Sequence, residues 1–147
     1  MTMPDATHQI AAGQLIDLNT QVVGVARATR QAVLVEQEPG RRPQRIDGLT
    51  IGARLVNGDA PHDGEVHPDG DELPYLISGA MSLRLEDPDG DIEVELHAGQ
   101  AVVVPQGVWH KLTLREPGQL LHITPGPNGS ARPLPAESAT STNGRGR

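Results

Sequence analysis

The stretch MSLRLEDPDGDIEVEL, Met81 to Leu96, decides the fold class. Met81, Leu83 and Leu85 alternate with Ser82, Arg84 and Glu86, and on the return Ile92, Val94 and Leu96 alternate with Glu93 and Glu95. Between the runs lies Asp87-Pro88-Asp89-Gly90, where aspartate accepts from nearby amides, proline presets its own φ and glycine tolerates positive φ. Period-two alternation on both sides of such a turn predicts an antiparallel hairpin with one apolar and one wet face.

Outward from this hairpin the same grammar repeats. AVLVEQEPG (Ala32–Gly40) and LTIGARLVNGD (Leu49–Asp59) each read as a strand ending in turn residues. QAVVVPQG (Gln100–Gly107) and WHKLTLREPGQLLHITPG (Trp109–Gly126) supply at least three more short strands. Helix signals are scarce, so the expectation is an all-β barrel or sandwich in a single domain. Residues 1–14 are expected to be a flexible N-terminal segment and 15–125 the β-barrel. From 126 to 147 the composition shifts to small, polar and proline residues that bury little surface, which predicts a disordered tail. On that reading, truncation after Gly129 leaves stability unchanged.

Composition narrows the function. The chain has 147 residues and a formal net charge of −7, with one Trp, one Tyr and no Phe. Without a basic field to hold phosphates or aromatic platforms to stack bases, no nucleic-acid partner is expected. No run of about 18 apolar residues is present and the N-terminus lacks a basic segment followed by an apolar core, so no membrane partner and a cytoplasmic location are expected. With no cysteine, disulfides, thiolate metal sites and thiol catalysis are excluded, and any metal must be held by His, Asp or Glu.

Two segments concentrate such groups. In GQAVVVPQGVWHKLTL, residues Gly99, Pro105, Gly107 and His110 follow the spacing G-x5-P-x-G-x2-H, with Leu114 where an Asn would follow. In EVHPDGDELPYLISG, residues His67, Glu72 and Gly79 follow H-x4-E-x6-G, and Glu65 stands where the pattern has its first histidine. Gly58 lies one residue too far upstream for the strict spacing. In these two motifs, from Gly58 to Leu114, the chain resembles the cupin superfamily. The resemblance implies a single cupin barrel of the double-stranded β-helix or jelly-roll type, a homodimer, and a divalent metal held by Glu65, His67, Glu72 and His110.

Residue parity bears on that site independently. Residues two apart on a strand share a face, so Glu65 and His67 aim together while Val66 turns away. His110 shares a face with Leu112 and Leu114, opposite Lys111, Thr113 and Arg115, and points inward. Two arrangements stay open: Glu65 as a fourth ligand, or Glu65 turned to solvent beside a site of His67, Glu72 and His110. Without a metal, His67 and Glu72 would form an interior hydrogen-bonded pair. Imidazole and carboxylate donors favour Fe or Mn, with Zn or Ni also compatible.

His62, of the wrong parity to join His67, is the candidate catalytic acid or base, reaching the site from a loop. His97 shares the polar face with Glu93 and Glu95 and is expected in solvent. His122 is a candidate pocket-lining residue of ambiguous direction, and Trp109, opposite His110, packs outside the barrel. Asp69 and Asp71 serve turn geometry rather than a calcium loop. Leu76, Val102, Val104 and Leu112 are the expected pocket lining, which suits a small organic molecule. The expected function is a metal-dependent enzyme, of oxygenase or isomerase type. A non-catalytic binding or sensing protein is the alternative, and a metal-free storage role a third reading.

Overall fold

A computed structural model describes residues 7–136. Its strands, in chain order, are β1 (Thr7–Gln9), β2 (Val22–Ala26), β3 (Ala32–Val35), β4 (Gly48–Val56), β5 (Glu65–Val66), β6 (Leu73–Leu85), β7 (Ile92–His97), β8 (His110–Gly126) and β9 (Ser130–Ala131). The described residues contain no α-helix, and no helix long and apolar enough to cross a membrane. The fold is all-β, a curled sheet whose strand pairs are all antiparallel.

The hairpin forms in the register its alternation requires: Met81 opposes Leu96, Leu83 opposes Val94 and Leu85 opposes Ile92. Gly90 N donates to the Asp87 carbonyl at 3.0 Å and Asp89 N to Asp87 Oδ1 at 2.9 Å, which closes the turn. The inward residues build two apolar clusters. Met81, Leu76, Leu96 and Leu120 form one, and Leu83, Leu85 and Val104 the other.

β8 organises the rest. It pairs with β6 along nearly its whole length, and its other edge takes β4 against Gly118–Gly126 and β5 at His110. Where Gln100–Gly107 and Trp109–Gly126 were together expected to give at least three short strands, one 17-residue strand runs through the second segment. The Pro-Gly pair inside it makes a bulge instead of a turn. Ser78 opposes Gln119 and Ala80 opposes Glu116, so Gly79 faces both Pro117 and Gly118. Proline lacks the ladder N–H, and a bulge is where that loss is tolerated. Gly79 there has φ of +87°, and a methyl on it would lie 2.7 Å from the carbonyl oxygens of Glu116 and Pro117.

Two expected boundaries differ. Within the segment expected to be flexible, Thr7–Gln9 pairs with Val33–Val35. Within the expected tail, Val66 pairs with Ser130 and Glu65 with Ala131. Arg132 N donates to the Gly64 carbonyl at 2.9 Å, and its guanidinium lies 4.3 Å from the centre of the Trp109 ring while Nη2 donates to Glu86 Oε1 at 3.0 Å. Backbone pairing and a cation–π contact need few apolar side chains, so composition alone misreads this segment. The remainder of the tail, 137–147, lies outside the described residues.

Two outcomes are expected. Gly79→Ala combines positive-φ strain with backbone overlap and should lower stability by about 3 kcal/mol, measured by urea unfolding. Truncation after Gly129 removes β9 from β5 and the cation from Trp109. It should cost about 2 kcal/mol and change the emission of the single tryptophan, with unchanged fluorescence and melting temperature counting against the docked segment.

Candidate metal centre and cavity

Glu72, just before β6, anchors the site. Its backbone forms a reciprocal pair with Val104, both hydrogen bonds at 2.9 Å, which turns the side chain into the interior, where the residue is 6% exposed. Glu72 Oε1 lies 3.1 Å from His110 Nε2, and Oε2 lies 3.1 Å from His67 Nε2. Thr124 Oγ1 donates to Oε2 at 2.7 Å and in turn stands 3.0 Å from His122 Nδ1. Because the Thr124 hydroxyl gives its proton to the carboxylate, His122 Nδ1 is the donor to that hydroxyl.

Glu65 enters from β5, which the backbone pairing Glu65–His110 sets beside the start of β8. Its Oε2 is 3.7 Å from His67 Nε2, and its Oε1 is 3.0 Å from His62 Nε2. Gly64 N donates to His62 Nδ1 at 3.1 Å, so the imidazole proton of neutral His62 sits on Nε2, aimed at Glu65. One oxygen of Glu65 is thus held by His62 while the other faces the histidine pair. The ligand atoms of Glu65, His67 and His110 lie within 4.8 Å of one another.

Asp69 and Asp71 fasten the loop beneath. Asp69 accepts from Asn128 N at 2.6 Å and Nδ2 at 2.9 Å, and Asp71 accepts from Gln106 N at 2.8 Å. Both carboxylates are engaged by neighbouring loops, so they tie those loops around His67 in addition to shaping a turn. Gly129 follows close by: a Cβ there would meet His67 Nδ1 at 3.1 Å.

The donor set fits a divalent cation on a specific observation. His67 is buried, and neither of its ring nitrogens makes a well-formed hydrogen bond, although Nε2 lies 3.1 Å from Glu72 Oε2 and 3.7 Å from Glu65 Oε2. The His67–Glu72 pair expected for a metal-free interior is present as a 3.1 Å contact between Nε2 and Oε2. An orphaned buried imidazole nitrogen facing two carboxylates and a second imidazole is satisfied by a cation.

Charge is strongly tuned here. Burial opposes ionisation of Glu72, but contact with His110 and His67 outweighs it and holds the carboxyl well below the usual range. Burial likewise disfavours protonated His110, and the Glu72 contact outweighs it, raising that imidazole above its usual value. His122 is pushed down to about 4, first by burial and then by Arg45 and Arg54. His122 is thus neutral, packed against Gly52, where a Cβ would meet its Nε2 at 2.9 Å.

The centre opens on a cavity of about 930 Å³ that includes Glu65, Glu72, His110, His62 and His122 in its wall. The lining differs from expectation. Leu112 borders it, but Leu76 and Val104 are 0% and 1% exposed within the apolar clusters and Val102 packs against them. In their place stand polar groups, among them Arg42, Arg45 and Arg54. The basic run RRPQR, Arg41 to Arg45, in an otherwise acidic chain was the sequence signal for this wall. Thr124 carried no sequence signal. His97 is exposed and Trp109 lies outside the cavity, as their parity required.

Residues 55–124 match the family model described as a cupin domain. Among solved structures, oxalate decarboxylase from Bacillus subtilis, a protein with Mn(II) centres, is similar with a TM-score of 0.50 and 22% identity, over 56% of this chain and 23% of that chain. Peruvianin-I, a cysteine peptidase from Thevetia peruviana latex, is similar with a TM-score of 0.50 and 16% identity, over 60% of this chain and 58% of that one. At these identities the likeness establishes the fold, and a chain without cysteine cannot share a thiol nucleophile. No curated protein matches the sequence.

His122 generates a pH prediction for the metal-free protein. Its folded-state value lies below the usual 6.5, so its contribution to stability is present above pH 6.5 and lost as pH falls toward about 4. The loss should reach at most about 3 kcal/mol. His110, raised, works in the opposite sense, with stability lost as pH rises through its folded value. The readout is therefore the difference between wild type and His122→Gln. Urea midpoints should converge between pH 7 and 4.5, and parallel curves would show that His122 does not titrate in the fold.

Proposed function

With residues 55–124 being a cupin domain, we propose that this cupin is a metal-dependent enzyme of oxygenase or isomerase type, acting on a small organic molecule in the barrel cavity. The observation that carries the reading is the orphaned His67 Nε2 beside Glu65, Glu72 and His110, of which the last three line that cavity. Glu65, His67, Glu72 and His110 would hold the metal, whose chemistry when bound is that of a Lewis acid for substrate oxygens. Two carboxylates and two neutral imidazoles bring a divalent ion to zero net charge. That oxygen-rich set favours Fe or Mn over Cu, with Zn or Ni as lesser candidates.

The chain's own residues divide the remaining work. Glu72 holds the two histidines together, and Thr124 and His122 keep one of its oxygens hydrogen-bonded. His62 orients Glu65 through its Nε2 proton and is placed at the cavity wall, where it can hold or release a proton near a bound substrate. Met81, Leu112, Leu114 and Leu120 supply the apolar part of the wall that limits water around the substrate.

In this reading the protein works in the cytoplasm as a homodimer, supported by the outward-facing Tyr75, Ile77 and Val103, exposed by 36%, 41% and 53%. A binding or sensing role would use the same cavity and metal without turnover. Oxygen consumption or product formation across small diketones, thiols and hydroxy acids separates the two.

The expected outcome for the metal is stoichiometric Fe(II) or Mn(II) after reconstitution, measured by elemental analysis, and its loss in His110→Ala. Glu65→Gln should weaken binding at least about tenfold, the equivalent of about 1.4 kcal/mol. Wild-type affinity in Glu65→Gln would remove Glu65 from the ligand set, leaving His67, Glu72 and His110.

A further inference from the structure

Part of the cavity wall carries positive charge without acidic partners. Arg41 pairs with Glu38 at 2.8 Å and Arg132 with Glu86 at 3.0 Å, both outside the metal centre. Arg42, Arg45 and Arg54 also line the cavity, and none of them has a carboxylate within ion-pair distance among the described residues. Arg45 is the least exposed of the three. Its guanidinium makes one hydrogen bond among the described residues, Nη1 to Thr50 Oγ1 at 3.0 Å, and its Cβ lies against Gly126, where a methyl would come within 2.7 Å. Arg45 also borders a smaller cavity of about 210 Å³ together with Glu65 and His67, so it stands between the arginine wall and the metal centre.

A guanidinium fork with unused donors in a partly buried place is an unfinished interaction. Burial pushes Arg45 below its usual range, and Glu72 and Glu65 offset this only in part. An arginine side chain does not relieve such a penalty by losing its proton, and an anion entering the cavity would offset it more fully than water does. Glu65 and Glu72 do not serve, because neither lies within ion-pair distance of Arg45 and both are engaged by histidines. The cavity is far larger than a free inorganic ion, and Met81, Leu112, Leu114 and Leu120 give it an apolar side that requires an organic body.

We propose that the cavity is an organic-acid site, in which Arg45, seconded by Arg54, takes a substrate carboxylate and presents the rest of the molecule to the Glu65–His67–His110 centre. The inference deepens the metal-dependent reading and rests on it for the orientation of the substrate, though the carboxylate contact itself does not need the metal. Neutral organic molecules would leave the arginines unpaired and bind weakly. Planar carboxylates suit the paired N–H groups of arginine better than a single ammonium would, so Arg45→Lys should retain only part of the affinity.

The test uses the full chain, metal-free and reconstituted with Mn(II), with binding read by calorimetry and thermal shift. Pyruvate, lactate and benzoate are each compared with the corresponding primary amide and with inorganic phosphate. The acids should bind at least about tenfold tighter than their amides in both states, since a carboxylate–arginine contact contributes about 1.4 kcal/mol or more. Arg45→Gln should abolish that preference while Mn(II) content stays stoichiometric, and Arg54→Gln, at an exposed position, should reduce it about threefold. A wild-type protein with no preference for acid over amide, or an acid preference unchanged in Arg45→Gln, overturns the proposal, as does phosphate binding as tightly as the best acid. Acid preference without metal uptake would sink the metal reading and leave the anion site standing, whereas metal uptake without acid preference would do the reverse.

Discussion

A carboxylate buried in a β-sheet interior must be surrounded by groups that justify its charge, and Glu72 is where this constraint falls. Its two oxygens each approach a histidine at 3.1 Å, and Thr124 donates to one of them at 2.7 Å. These partners come from separate places: His67 follows β5, while His110 and Thr124 stand near opposite ends of β8. An unpaired buried charge costs several kcal/mol, so the carboxylate selects arrangements in which those segments meet. The unbroken run of β8 and its bulge at Pro117–Gly118 then follow as the geometry that lets one strand deliver groups to the site from both ends.

The same centre is left incomplete in one respect. His67 has no hydrogen-bond partner at either ring nitrogen, although the residue is 5% exposed. Structural histidines in cores normally find partners. Here the surroundings are a second imidazole and two carboxylates, one of them steered by His62. The incomplete interaction of His67 is what a cation among these groups would complete, and Glu65 is placed to share in it, its ligand atom lying within 4.8 Å of those of His67 and His110.

The cavity has a corresponding mixture of charge. Its lining combines the acidic Glu65 and Glu72 and three histidines with Arg42, Arg45 and Arg54 and with apolar side chains. A chain with net charge −7 would by its overall field repel organic acids, so the local arginines matter more than the total. Their placement depends on the loop before β4 crossing Gly126 at the end of β8, a contact permitted only because that position lacks a Cβ.

The division between sequence and tertiary structure can be traced residue by residue. Alternation alone determined the hairpin of β6 and β7, the inward aim of Glu65, His67 and His110, and the outward place of His97 and Trp109. Side-chain period in a strand is a local property of the backbone, and it survives into the fold. The spacing from His67 to Glu72 and from Gly99 to His110 likewise marked the site through the cupin resemblance. What the sequence could not determine depended on which distant segments touch. Leu76 and Val104 face inward as their parity requires, but whether an inward side chain meets a cavity or a packed cluster is set by its neighbours across the sheet. Ser130 to Arg132 looked featureless because backbone pairing leaves no mark in composition, and the partnership of Thr124 with Glu72 joins residues 52 apart. Only the tertiary structure decided that Arg45 would border a cavity with Glu65 and His67 yet have no carboxylate within ion-pair distance among the described residues, because electrostatic pairing depends on distances that no local pattern encodes.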